Sequence, residues 1–434
     1  MRIAITTLGC KINQYDSAVI QSRLEEKHSF VPFEEQADCY VINTCTVTDR
    51  ADWEARQLVR RAKRLNPEAK VLVTGCYAQV SPAEVAEVPG VDFVVGLNRL
   101  DDLLRYVEEP WQPATQTAVS DVKRERGVAV LGTRALPGHT RAFLKVQEGC
   151  NYSCTYCIIP AARGLSRSVQ PRQVLEQVRQ LAEAGYREIV LTGIHLGGYG
   201  HDLVPKIDLT ALVEMIAGSG LIARLRVSSL HPREVPDRLL DLIARSKIVC
   251  PHLHICAQAG DDEILKQMRR NYDTAYYRDL LQRVRERLPE AALGSDIIVA
   301  FPGETGGQFE QSLDYFPPLP LTYFHVFPYS SRRGTPASAL GGHLPGSVRK
   351  ERARRMRELG VRKKSEFCAR FIGHRVPVLI EEKVEKQTGR RRGFSRNYLP
   401  VAVPGADAFL NRELDVRIDG YGGGWLTGSP ITGH

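Results

Sequence analysis

The 434-residue chain has no uninterrupted apolar run of about 18 residues, so no membrane-spanning helix is expected. It also lacks the basic and apolar tract of a secretory leader: residues 1–10 (MRIAITTLGC) read as a strand. Ten cysteines without such a leader point to metal ligation in a reducing, cytoplasmic setting, not to disulfides. Charge of neither sign dominates. Fifty-nine Lys and Arg against 50 Asp and Glu leave a net +9, which suits a polyanionic partner without requiring one. An apolar content of 43% with 25% charged residues describes a globular chain, and its length suggests two to four domains.

A fourth cysteine is missing as well. Cys150, Cys154 and Cys157 lie in EGCNYSCTYC (148–157), directly after an apolar strand at 142–147, and no Cys or His pair stands a short step away. Three thiolates hold three irons of a 4Fe–4S cube and leave the fourth iron open, whereas a purely structural site would supply four ligands. The competing reading is zinc with a fourth ligand borrowed from a distance. The preceding strand and the βα pattern that follows favour iron. Tyr156, between the last two cysteines, is on its own an ordinary loop aromatic.

The first hundred residues alternate strand patterns (2–9, 39–43, 70–75, 92–96) with helical ones (14–27, 51–65), which implies a doubly wound parallel sheet. Cys10, Cys45 and Cys76 each fall at the C-terminal end of one of the first three strands, where open α/β sheets bind ligands. One such cysteine would be a small buried residue; three at equivalent positions point to a second open cube. Cys39, at the start of its strand, is read as core. Residues 101–135 look like a linker, with one strand near 127–132.

From 141 to 330 six strands (142–147, 188–193, 224–229, 252–258, 294–300, 323–330) alternate with helices, giving a partial (β/α)6 barrel whose chemistry sits at the C-terminal strand ends. Those ends carry Gly193, His195, Ser228, His231 and Gln258, a set that suits the wall of a cofactor pocket. Asp296 lies on an otherwise apolar strand, either as a buried hydrogen-bonded carboxylate or in a functional role. A basic helix at 345–364 is a solvated face or a phosphate contact. Strands at 376–384, 397–403 and 413–421 suggest a small OB-like β-barrel. Its turn carries Arg390, Arg391 and Arg392 next to Phe394, a composition that suits RNA.

Residues 7–17 (TLGCKINQYDS), 43–48 (NTCTVT), 74–79 (TGCYAQ) and 149–164 (GCNYSCTYCIIPAARG) together resemble the radical S-adenosylmethionine (SAM) methylthiotransferases, and the tail resembles their RNA-binding TRAM domain. The resemblance implies four segments: an N-terminal domain at 1–112, a linker at 113–135, a radical SAM core at 136–366 and TRAM at 367–434. GCKINQ, NTCTVT and LTGIHLGGYG (191–200) are similar to the branch acting on N6-threonylcarbamoyladenosine beside the tRNA anticodon. Other branches act on isopentenyladenosine or on a ribosomal-protein aspartate.

Carried over, the resemblance implies two 4Fe–4S clusters and two SAM molecules. The cluster at Cys150, Cys154 and Cys157 would cleave SAM to a 5′-deoxyadenosyl radical that takes hydrogen from carbon 2. The cluster at Cys10, Cys45 and Cys76 would give sulfur, which a second SAM methylates. Tyr156, Gly193, His195, Ser228, Gln258 and Asp296 would contact SAM, while Arg390, Arg391, Arg392 and Phe394 would contact tRNA. A reduced flavodoxin or ferredoxin and a sulfur-donor system would be the other partners. Two departures stand out: Cys256-Ala-Gln-Ala-Gly replaces the family's Pro-Leu-Gln-Ser-Gly, and His231 replaces a frequent Glu. Cys256 is not read as a cluster ligand. A non-catalytic zinc-dependent RNA-binding protein is the alternative of another class.

Overall fold

The computed structural model describes residues 1–110, 114–128 and 140–431; the strand expected at 127–132 falls largely outside them. The first sheet is parallel and has six strands: β1 (Arg2–Thr7), β2 (Ser29–Phe30), β3 (Cys39–Thr44), β4 (Lys70–Gly75), β5 (Phe93–Val95) and β6 (Gln116–Ala118), in the order β2-β1-β3-β4-β5-β6. Successive β3 residues feed opposite faces. Tyr40 and Ile42 join one apolar cluster, Cys39 and Val41 another, so helices must cover both sides. Cys39 is core, fully buried. Strand order reverses between β1 and β3, and their register levels Thr7 with Asn43 and Asn43 with Thr74. The turns carrying Cys10, Cys45 and Cys76 therefore leave the sheet at one height.

The central wall consists of β7 (Arg141–Glu148), β8 (Arg167–Ser168), β9 (Glu188–Gly193), β10 (Arg224–Val227), β11 (Ser229–Leu230), β12 (His252–Ile255), β13 (Ala292–Val299) and β14 (Tyr323–Pro328). It runs β8-β7-β9-β10, continues through Ser228 into β11, and ends β12-β13-β14. All six expected strands are present, with the antiparallel β8 added. Among the described residues no strand joins β14 to β7 or β8. The helix α1 (Lys11–Leu24) lies along β7, where Lys145 pairs with Asp16 at 2.7 Å and stands over the Tyr15 ring.

The tail is a closed barrel of β15 (Arg375–Val384), β16 (Arg391–Ser395), β17 (Pro400–Val403), β18 (Glu413–Gly422) and β19 (Trp425–Pro430). Phe367, from the basic helix Gly346–Ala369, joins its core. The charges of that helix are largely spent within the fold. Arg352 meets buried Glu304 at 2.5 Å, Arg349 and Arg357 donate to the Tyr329 and Val326 carbonyls, and Lys363 to those of Pro317 and Leu319.

The tail docks on the N-terminal ends of the central strands. Tyr398 stacks on His252 (4.4 Å between ring centres) and sits under Arg226. Arg224 donates to the carbonyls of Phe394 and Ser395 at 3.1 and 2.9 Å. Glu188, fully buried, lies 2.8 Å from both Arg224 and Arg226. Burial alone would raise its pKa; Arg226, Arg224 and Arg141 reverse this and hold it at about 2, against an ordinary 4.5. A depressed carboxylate adds stability above its unfolded pKa and loses it as pH falls through the folded one. The unfolding free energy from urea titrations should therefore fall between pH 4.5 and 2 by an amount on the order of 3 kcal/mol from this group. In Glu188→Gln the fall over that window should be shallower, and an equal fall would count against it.

Candidate active site

Each N-terminal cysteine is set by the turn that leaves its strand. Cys10 caps α1 and is exposed, whereas Cys45 and Cys76 are buried. Asn13, with no exposed surface, stitches the turns together. Its amide donates to the carbonyls of Leu8 (3.1 Å) and Thr44 (2.8 Å), and the Asn43 amide donates back to the Asn13 carbonyl (2.9 Å). Gly75 has φ +96°, and a Cβ there would lie 2.3 Å from the Thr44 carbonyl oxygen, so only glycine can deliver Cys76 this close to β3. Burial pushes the Cys76 thiol up to about 12; Arg163 opposes this, while Cys45 and Cys10 add to it. Cys45 is raised by burial too, eased by the Val47 N–H at 3.5 Å from its sulfur.

The second set follows β7. Gly149 has φ +72°, and any side chain there would strike the Leu165 carbonyl. The Cys150 N–H donates to the Gly164 carbonyl (3.0 Å), the Cys157 N–H to the Cys154 carbonyl (3.1 Å), and the Thr155 hydroxyl to the Gln267 carbonyl (2.8 Å). Arg270 donates to the Cys154 sulfur at 3.0 Å, and the Tyr152 N–H to the Cys150 sulfur at 3.4 Å. Burial pushes Cys157 up to about 12. His195 Nε2 lies 2.5 Å from Glu234, which also accepts from the Tyr152 hydroxyl at 2.9 Å. Burial would lower His195, but Cys150 and Glu234 raise it to about 9.

Arg163 joins the two sets. It closes the short helix Ile159–Arg163 after the second set, and its side chain is 1% exposed. One end of its guanidinium holds both oxygens of Glu148 (3.0 and 3.1 Å). The other reaches Asn13 (2.8 Å) and Asp16 (3.1 Å), and the Cys76 thiol lies beside it. The donor chemistry fits a 4Fe–4S cluster at each set. Each offers three thiols, and in each a thiol raised by burial, Cys76 in one and Cys157 in the other, keeps its proton until a metal displaces it. Each has a guanidinium against sulfur and backbone N–H groups on sulfur, both of which stabilise anionic clusters.

The other expected residues are distributed as follows. Tyr156 is half-buried against the apolar group of Tyr272, Phe301 and Tyr329. Gly193 ends β9, and the space a Cβ would need is taken by Gln147 and Leu196. Ser228 is buried where β10 becomes β11, and Gln258, at φ +67°, bridges by backbone to Asp296 and Ile298. Asp296 sits in mid-strand, held by His254 (2.9 Å) and His325 (3.2 Å), and is thus deeper than the strand-end wall. In the tail, Arg391 pairs with Asp407 at 2.6 Å. Phe394 stacks on Tyr398 beneath Arg141, facing the central barrel. Arg392 lies over Trp425, and the Arg390 side chain has no partner among the described residues. Asn13, Arg163 and Arg270 have no signal in spacing. Only the adjacency of Arg163 to the cysteine loop could have drawn attention to it.

Fold and cysteine loop define a radical SAM enzyme, and the comparisons agree. Residues 144–316 match the radical SAM superfamily, and residues 2–96 match the uncharacterized protein family UPF0004. The solved structure of the radical SAM methyltransferase TsrM from Kitasatospora setae shares the fold: TM-score 0.54 at 17% identity, over 78% of this chain and 77% of that one. A threonylcarbamoyladenosine tRNA methylthiotransferase MtaB of Bacillus subtilis is 40% identical over 96% of this chain and 93% of its own. The protein of that name from Aquifex aeolicus is 39% identical over 93% and 97%. A tRNA-2-methylthio-N(6)-dimethylallyladenosine synthase of Carboxydothermus hydrogenoformans is 34% identical over 95% and 96%. The chain belongs to the radical SAM tRNA methylthiotransferase family, whose enzymes use SAM and 4Fe–4S clusters. No helix among the described residues is long and apolar enough to cross a membrane.

Proposed function

We propose that this enzyme adds a methylthio group to carbon 2 of N6-threonylcarbamoyladenosine beside the tRNA anticodon, using two SAM molecules and two 4Fe–4S clusters. The observation that carries the reading is the pair of three-cysteine sets bridged by Arg163. The names of the relatives at 39–40% identity support the substrate. When bound, the clusters and SAM supply the reducing electron, the carbon radical, the sulfur and the methyl group.

The chain's own residues hold and shield that chemistry. Cys150, Cys154 and Cys157 hold one cluster, and Cys10, Cys45 and Cys76 the other. Arg270 and Arg163 balance thiolate charge. Tyr156, Gly193, His195, Ser228 and Gln258 form the wall for SAM, and Arg390 and Arg392 meet RNA phosphate. A single-stranded anticodon-loop base can be lifted into such a site at modest cost. A flavodoxin- or ferredoxin-type protein delivers electrons, a separate system replaces the sulfur, and the work is done in the cytoplasm.

Mass spectrometry of nucleosides from bulk tRNA tests this. In cells that make threonylcarbamoyladenosine, the protein should convert it to the 2-methylthio form, and Cys157→Ala should not. An unchanged nucleoside with brown, SAM-cleaving protein would move the assignment to dimethylallyladenosine or a ribosomal protein. Colourless, zinc-loaded protein would overturn catalysis itself.

A further inference from the structure

Three neighbouring strands of the central wall turn metal-binding side chains to one face. His254, in β12, and Cys256, just past its end, are two apart and so point the same way. Asp296 on β13 and His325 on β14 are direct cross-strand partners. Leu253, Ile255 and Ile297 alternate with these residues and join the apolar cluster of Leu280 and Leu281 on the covering helix, so the polar face lines the barrel interior. The side chains meet there. One Asp296 oxygen lies 2.9 Å from His254 Nε2 and 3.2 Å from His325 Nδ1, and the other accepts from the Cys256 thiol at 3.4 Å. The ligand atoms of His254, Cys256 and Asp296 all lie within 4.8 Å of one another. Ligand atoms bound to a tetrahedral zinc at about 2.0–2.3 Å stand about 3.3–3.6 Å apart, so these three groups can close round an ion with small side-chain shifts.

The surroundings hold the set in place. His254 is buried, and its other nitrogen, Nδ1, meets the Tyr323 hydroxyl at 3.2 Å, which keeps Nε2 aimed at Asp296. A partner on the far nitrogen is what orients a metal-binding imidazole. The Tyr272 hydroxyl donates to the Cys256 carbonyl at 3.0 Å and is itself held by Arg270, the residue on the Cys154 sulfur. None of the three ligand residues belongs to the cysteine sets or to the strand-end wall. Proline, which the family carries at 256, offers no ligand atom, so the thiol is this chain's own addition to the face. One imidazole, one thiolate and one carboxylate suit zinc, whereas magnesium and calcium take oxygen. We propose that His254, Cys256 and Asp296 bind a divalent zinc ion inside the central barrel, with the fourth position left to water.

Zinc alone is the probe. Holoenzyme carrying both clusters is given an equimolar amount of zinc, freed of loose metal on a chelating resin, and assayed for zinc and iron by mass spectrometry. X-ray absorption at the zinc edge, to which iron is silent, reads the ligands. The wild type should hold about one zinc beside about eight irons per chain, with one sulfur at about 2.3 Å and nitrogen or oxygen at about 2.0 Å. Cys256→Ser should lose the sulfur signal. Cys256→Ser and Asp296→Asn should each weaken zinc binding by about a hundredfold or more, because even residues that only orient a ligand are worth about tenfold to a hundredfold. A wild type that retains no zinc would overturn the proposal. So would zinc with two or more sulfurs, which would place it on the cluster cysteines, or zinc with none, an adventitious ion only. These arms need no variant and stand even where a variant fails to fold. Zinc held as tightly by Cys256→Ser as by the wild type would overturn the proposal too.

Discussion

Cys157→Ala and Cys76→Ala should each cost about half the bound iron, a fall from about eight to about four atoms per chain, yet fail in different ways. Without Cys157, SAM should not be cleaved and no 5′-deoxyadenosine should form. Without Cys76, SAM cleavage should persist while sulfur insertion is lost, because the N-terminal set is assigned to sulfur and not to the radical. Iron assay, chromatography of 5′-deoxyadenosine and nucleoside mass spectrometry read the three outcomes separately. Continued methylthiolation by Cys76→Ala, with electrons supplied from outside, would reduce the N-terminal cluster to an electron relay.

Arg163→Ala should be the most damaging substitution outside the cysteines. It leaves Glu148 buried with Lys145 as its remaining ion-pair partner and strips Asn13 of the hydrogen bond that steadies the Cys10 turn. Both Arg163 and Lys145 lie against Glu148 and hold its pKa at about 2 despite burial, so removing one leaves a charge poorly compensated. Breaking a buried pair from one side costs about 3–5 kcal/mol. Calorimetry should show a clear fall in unfolding temperature, and iron should drop preferentially from the N-terminal set. Lys in its place keeps the charge but cannot hold Glu148 and Asn13 at once, so Arg163→Lys should recover stability more than iron. An unaltered melting profile for the alanine variant would mean that water or Lys145 alone compensates Glu148.

Much of this site was legible in the chain itself. Each cysteine set announces itself through spacing or through strand position, because a ligand must sit where the backbone turns. The six central strands are readable because buried parallel strands are continuous apolar runs. What stayed hidden depends on packing between distant segments. Arg163 and Asn13 are 150 positions apart and meet only because α1 lies along β7. Phe394 and Arg391 suggested RNA by composition, yet an aromatic–arginine surface that docks on another domain has the same composition as one that docks on a nucleic acid. The basic helix Gly346–Ala369 was legible as basic but not in its role: in place of a solvated face or a phosphate contact, several of its arginines cap carbonyls that no local pattern displays.

The Tyr398 contact has a consequence for how the enzyme keeps its reagents. The ring plugs the N-terminal mouth of the central barrel, backed by Arg141, Arg226 and His252. The tail is thus the floor of the central barrel. Trimming the tail would open the barrel from below and let solvent reach its interior, whatever else the tail does.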